Sequence, residues 1–220
     1  MARLSYDFYN GDTVEIARKL LGKLVVRTVT APDGASVTLA GRLTETEAYV
    51  GRCDKACHAY RYKRTRRTAP LFLGPGHAYI YLIYGRYHCL NFVTEPEGEP
   101  AAVLIRAMEA VSGVDFMRRQ RFGSASVTPA QERQFLNGPG KICQALCLST
   151  AENGDDLTGD ALFVCDSPTD IGLPELPPRR ERVQAGPRIG IDYAEEAREF
   201  PWRFTLEPVP GGKEARRASL

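Results

Sequence analysis

The spacing of apolar residues changes period several times along this chain, and each change predicts an element. Asp12-Thr13-Val14-Glu15 has the form of a capping box opening a helix, with Ile16, Ala17, Leu20 and Leu21 as its apolar face and Gly22 as its stop. Period-two alternation follows. Residues 24–30 and 37–49 read as strands about the turn Pro32-Asp33-Gly34, which predicts a hairpin. Residues 50–76 are turn-rich and predict a long loop. Two apolar-aromatic runs, residues 78–84 and 87–94, flank Gly85-Arg86 and predict a second hairpin.

Beyond a loop at 95–100, residues 101–106 read as a strand and 107–121 as a helix that tolerates Gly113. Thr128-Pro129 starts another helix, with Thr as cap and Pro in the first turn. Gly138-Pro139-Gly140-Lys141 opens one more, running to about Cys147. Residues 166–182 are Pro-rich and predict a loop, 188–192 and 203–206 read as late strands, and 208–220 as a disordered tail. Neither repeats nor a linker interrupt the series. The expectation is a mixed α/β (α+β) fold, with residues 1–207 as a single compact domain.

Composition adds little to that picture: 43% apolar and 25% charged residues are ordinary for a globular protein. No apolar run approaches a membrane span, and the first residues lack the apolar core of a signal peptide, so a cytoplasmic protein is expected. Six cysteines in such a protein are expected to be reduced and mostly buried. Cys53-x3-Cys57-His58 lacks zinc-knuckle spacing and has no second cysteine pair to match it, so no metal site is expected. Cys143-x3-Cys147 fits core packing on one helix turn.

The charge distribution does change the picture. Net charge is only +2, yet residues 55–94 contain no Asp or Glu. The same stretch holds seven Lys and Arg residues, all three histidines and six of the ten tyrosines. Cations interleaved with aromatics suit a nucleic-acid surface, where charge offsets phosphate and rings stack on bases.

Strand alternation places Glu45, Glu47 and Tyr49 on one face, with Thr46 and Ala48 turned away. A carboxylate two residues from a ring can address the edge of a flat ligand that the ring stacks, although a solvated edge-strand Glu beside a packing Tyr has the same pattern. In the second hairpin Tyr79, Tyr81 and Ile83 share one face, and Ile80, Leu82 and Tyr84 the other. Tyr84 at the turn, beside Arg86, has the form of a wedge that enters a base stack. The start of the Gly138 helix offers backbone N–H groups and Lys141 to a phosphate. Phosphate-binding P-loop, dinucleotide, serine-hydrolase and zinc-protease motifs are all missing from the sequence. A non-catalytic nucleic-acid-binding module accounts for the basic-aromatic stretch alone, and a metal-dependent nuclease or deaminase would draw on Cys53, Cys57 and His58.

Taken as an ordered set, these words resemble the alkyladenine (3-methyladenine, methylpurine) DNA glycosylase family. The matching words are Glu45-Thr46-Glu47-Ala48-Tyr49, His58, Tyr79-Ile80-Tyr81-Leu82-Ile83-Tyr84-Gly85, Cys89-Leu90-Asn91, Leu104-Ile105-Arg106-Ala107, the segment from Gly138 to Leu146, and Arg188-Ile189-Gly190. The resemblance implies a curved, mostly antiparallel sheet with surrounding helices and a protruding hairpin that inserts into DNA. It implies excision of alkylated or deaminated purines, of the 3-methyladenine, hypoxanthine and ethenoadenine class, from duplex DNA by a monofunctional enzyme that uses no cofactor.

By the same resemblance Glu47 is the general base and Arg106 lies near the catalytic water. Tyr49, His58 and Tyr81 sandwich the extruded base, Asn91 rejects guanine, Ile189 lies beside water and sugar, and Tyr84 fills the gap in the stack. Arg66, Arg67, Arg86 and Lys141 are the expected DNA-backbone contacts. Loop 60–68 departs from the family pattern, so contacts there are generic. The chain lacks the long N-terminal extension of the animal enzymes, which suggests a bacterial form. Expected partners are double-stranded DNA carrying damaged purines and no membrane, with the protein a monomer associated with the nucleoid.

Overall fold

A computed structural model describes residues 3–209. It is a mixed α/β single domain built on an eight-stranded antiparallel sheet. After a short helix α1 (Tyr6–Tyr9), helix α2 (Thr13–Leu20) begins where the Asp12 side chain accepts the Glu15 amide. Strands β1 (Leu24–Thr30) and β2 (Ser36–Val50) form the expected first hairpin, and β3 (Ala78–Ile83) and β4 (Tyr87–Val93) the second. Strand β5 (Ala101–Ser112) is followed by helices α3 (Val114–Phe122), α4 (Pro129–Arg133) and α5 (Pro139–Ala145). Strands β6 (Leu162–Cys165), β7 (Glu181–Gly186) and β8 (Arg203–Pro208) complete the set. The order is β3-β4-β5-β2-β1-β6, with β8 also paired to β2 and β7 to β8.

Period-two alternation gives the sheet two different faces. Ala48 of β2, Ala78 and Ile80 of β3, Leu90 and Phe92 of β4, and Val103 and Ile105 of β5 enter the main core. There they join Ile16, Ala17 and Leu20 of α2 and Ile142, Cys143 and Ala145 of α5. Thr46 points the same way and donates to the Ala17 carbonyl at 2.8 Å, which satisfies its buried hydroxyl. The intervening residues of these four strands point to the opposite face, where the cleft lies.

The sheet overrides three expectations. Residues 107–112 continue β5 instead of starting a helix, because each finds a β2 partner from Ala40 to Glu45 or stands in a bulge. The helix begins only after Gly113, whose φ is +68° and whose Cβ, if present, would strike the Leu39 side chain. The Pro-rich segment yields to β7 from Glu181, held by pairing with β8. Residues 188–192 form no strand, because Arg188 turns its side chain inward and Gly190 takes a φ of +75°. Pro208 still pairs with Glu181, and residues 210–220 of the expected tail lie outside the described residues.

All six cysteines are free, and Cys57, Cys89, Cys143 and Cys165 are buried. Cys143 packs in the core, whereas Cys147 lies past the end of α5 with φ +53°. Among the described residues no helix is long and apolar enough to cross a membrane.

Candidate active site

The cleft, of about 830 Å³, runs between β2 to β5, the loop after β2, the start of α5 and the segment after β7. Glu47 is fully buried directly behind its lining, bonded to three residues that do line it. Its Oε1 accepts the Ile189 amide at 2.8 Å, and its Oε2 accepts the Tyr49 hydroxyl at 2.7 Å and Arg106 at 3.4 Å. Burial pushes the Glu47 carboxyl above its ordinary pKa, while Arg106, Tyr49 and Ile189 partly hold it down.

Two bulges build this arrangement. Between Leu43 and Thr46 of β2 the register slips twice, leaving Thr44 unpaired on β2 and Arg106 unpaired on β5. A bulged residue is free to aim off the pleat. Arg106 uses that freedom to reach Glu45 Oε1 at 3.3 Å as well as Glu47. Glu45 also accepts from Arg203 at 3.0 Å, so it neutralises two arginines and steadies the one beside Glu47.

A second buried pair lies behind the first. Arg188 and Asp54 have fully buried side chains and form a two-pronged ion pair. Arg188 also donates to the Ala48 and Ala197 carbonyls, at 2.8 and 3.0 Å, and its guanidinium lies 4.6 Å from the Tyr49 ring centre. It therefore anchors a wall ring and holds the chain that carries Ile189. The sequence reading missed this pair, since its partners are 134 residues apart and Asp54 sits among cysteines that drew attention first.

Tyr79 was missed as well, although alternation puts it on the face of Tyr81. Its hydroxyl pairs with His58 Nδ1 at 2.9 Å, and the His58 and Tyr81 ring centres are 4.7 Å apart, edge to face. Burial pushes the His58 pKa down to about 4, with the charge of Arg67 contributing, so the ring is neutral at neutral pH. Its two nitrogens engage Tyr79 and Arg67, not the nearby cysteines. No group of three or more metal-ligating side chains occurs among the described residues. Asn91 lines the cleft at 4% exposure, its amide nitrogen bound to the Tyr79 and Cys89 carbonyls.

Tyr49, His58, Tyr81, Asn91, Arg106 and Ile189 thus line one cleft, and Glu47 lies behind it, bonded to Tyr49, Arg106 and Ile189. Tyr84 joins them at the mouth with 84% exposure. Alternation had set it opposite Tyr81, but Tyr84 and Gly85 both have positive φ, +52° and +66°, and Arg86 N–H donates to the Ile83 carbonyl. These are marks of a type I′ hairpin turn, which swings the ring back over the cleft.

The four expected phosphate contacts divide. Arg66 and Arg86 are exposed and lie outside the cleft lining. Lys141 lines it, but donates to Asn137 at 2.7 Å. Helix α5 has only seven residues, and Gly140 serves packing: a Cβ there would lie 3.0 Å from Tyr87 Cβ. Arg67 points into the cleft, 4.9 Å from the Tyr81 ring centre.

The model of the methylpurine-DNA glycosylase family matches residues 7–210. A Bacillus cereus protein is 46% identical over 209 residues, covering 92% of this chain and 95% of its own length. A Bacillus thuringiensis protein is similar to the same extent, and a Bacillus anthracis protein is 45% identical over 203 residues, with the same coverage. Each of the three carries the provisional name 3-methyladenine DNA glycosylase. With the match spanning nearly the whole chain, and this cleft at its centre, the protein belongs to the methylpurine-DNA glycosylase family.

Proposed function

We propose that the protein extrudes a damaged purine from double-stranded DNA and hydrolyses its N-glycosidic bond with a water activated by Glu47, leaving an abasic site. The observation that carries this reading is a fully buried carboxylate directly behind an aromatic cleft, with its oxygens held by Tyr49, Arg106 and Ile189, which line that cleft. Burying a carboxylate is unfavourable for stability alone and is characteristic of catalytic sites.

In this reading Glu47 takes a proton from the water as the water oxygen bonds to the sugar C1′. The C1′–N bond breaks, and its electron pair leaves with the base. The sugar gains oxocarbenium character, which the ionised Glu47 stabilises in a site of low dielectric. Arg106 favours that ionised form, and the Ile189 amide fixes the other oxygen.

Tyr49, His58 and Tyr81 supply ring faces for the base, which suits cationic 3-methyladenine as well as neutral hypoxanthine and ethenoadenine. Asn91 would crowd the exocyclic amino group of guanine. Tyr84 fills the gap in the stack, at a stage where unstacking the base costs a few kcal/mol. Arg66, Arg86 and Lys141 face the DNA backbone. Among the described residues no carboxylate pairs with Arg61, Lys63, Arg64, Arg66 or Arg86, which leaves those charges for phosphate. In this reading the protein acts as a monomer, and no step calls for a metal or organic cofactor. Water is the nucleophile, so the strand is not cut.

The test is a duplex carrying hypoxanthine or 3-methyladenine. The expected result is free base in the supernatant and a strand that breaks only on later alkali treatment. Tight lesion binding without base release would instead favour a non-catalytic binding module.

A further inference from the structure

We infer that Arg67 is a specificity-determining residue at the cleft mouth: its guanidinium holds the Tyr81 ring that an extruded base would stack on, and so favours neutral purines over cationic ones. The inference rests on the function proposed above and deepens it. Arg67 lines the same cleft as Tyr81 and His58, lies 4.9 Å from the Tyr81 ring centre, and reaches His58 Nε2 at 3.4 Å. It follows a loop whose other cations turn elsewhere: Arg64 lies over Phe72, and Arg61 over Tyr60. The next residue, Thr68, is buried and bonds to the Lys63 carbonyl and the Thr65 amide, so the backbone that presents Arg67 is anchored.

The chemistry follows from one ring serving one cation. A neutral His58 accepts from Arg67 at Nε2, which leaves Nδ1–H to donate to the Tyr79 hydroxyl. Tyr81 then already makes a cation–π contact. An alkylated, positively charged purine must displace Arg67 from that ring and then tolerate its charge nearby. The exchange trades one cation for another and gains little. A neutral purine meets no such repulsion, and its O6 and N7 acceptors match the guanidinium donors. A phosphate contact from Arg67 would be indifferent to the base in the cleft.

The experiment compares single-turnover kcat/KM for 3-methyladenine release from a freshly methylated duplex with that for hypoxanthine release. It uses the unmodified protein, Arg67→Met and Arg67→Lys. The expected result is that Arg67→Met raises the ratio of 3-methyladenine to hypoxanthine release by about tenfold, the size of one cation–π contact. Arg67→Lys, which keeps the charge, raises it less. Equal loss on both substrates would overturn the inference and make Arg67 a backbone clamp. An unchanged ratio with both bases still released overturns the role of Arg67 alone. No release from either duplex by the unmodified protein overturns the proposed function and this inference with it.

Discussion

The Ile189 amide donates to Glu47 Oε1 at 2.8 Å across 142 residues of chain. That bond ties β2 to the segment after β7. The segment is placed by Arg188, which is locked to Asp54 and to the Ala48 and Ala197 carbonyls. The position of the candidate base therefore depends on a buried ion pair that does not line the cleft.

Breaking that pair is expected to be severe. Asp54→Ala leaves Arg188 buried without its counter-charge, which costs about 3–5 kcal/mol. For a domain of this size the melting temperature falls by roughly 6–20 °C. Thermal melting checks it, and an unchanged melting point would show that the pair is dispensable.

The pH dependence follows from burial. Base release needs ionised Glu47, and burial raises its pKa, so the acidic limb of the rate profile lies above the ordinary carboxylate range. Arg106→Gln removes the largest opposing influence and moves that limb to still higher pH. A limb that stayed in place or moved down would contradict the assignment.

Linkage gives an independent check on the same group. Because the folded pKa is raised, the stability this group contributes is fully present below its unfolded pKa. It is lost as pH rises through the folded value. The melting temperature of Glu47→Gln, measured against the unmodified protein, therefore climbs as pH rises above the ordinary carboxylate range. A constant difference would mean that the folded and unfolded pKa values coincide.

Tyr84 carries a stability cost for its position. A bulky residue at φ +52° is strained, and 84% exposure returns little packing. Tyr84→Asn suits the left-handed turn and is expected to raise stability by about 1 kcal/mol. It is also expected to slow excision from duplex more than from single-stranded DNA. Equal slowing on both substrates would argue against a wedge.

Much of the site could be read from alternation. The faces of β3, β4 and β5 follow their apolar periods, and Glu47 and Tyr49 share one face of β2, where they bond to each other. The remainder depended on long-range geometry. Arg106 reaches Glu47 only through a bulge set by β2 pairing, and Tyr84 reaches the cleft only through a primed turn. Arg67 was expected among the phosphate contacts, and its contact with Tyr81 required the loop to close over the sheet. The strand at 107–112 was hidden by residues that tolerate a helix until a partner strand is present.

Glu47→Gln tests the central claim most directly, by measuring release of hypoxanthine and 3-methyladenine from duplex DNA. The expected loss is at least about 10²-fold, as for a general base, with lesion-duplex binding retained. Release at the unmodified rate would show that the buried carboxylate does not activate the water.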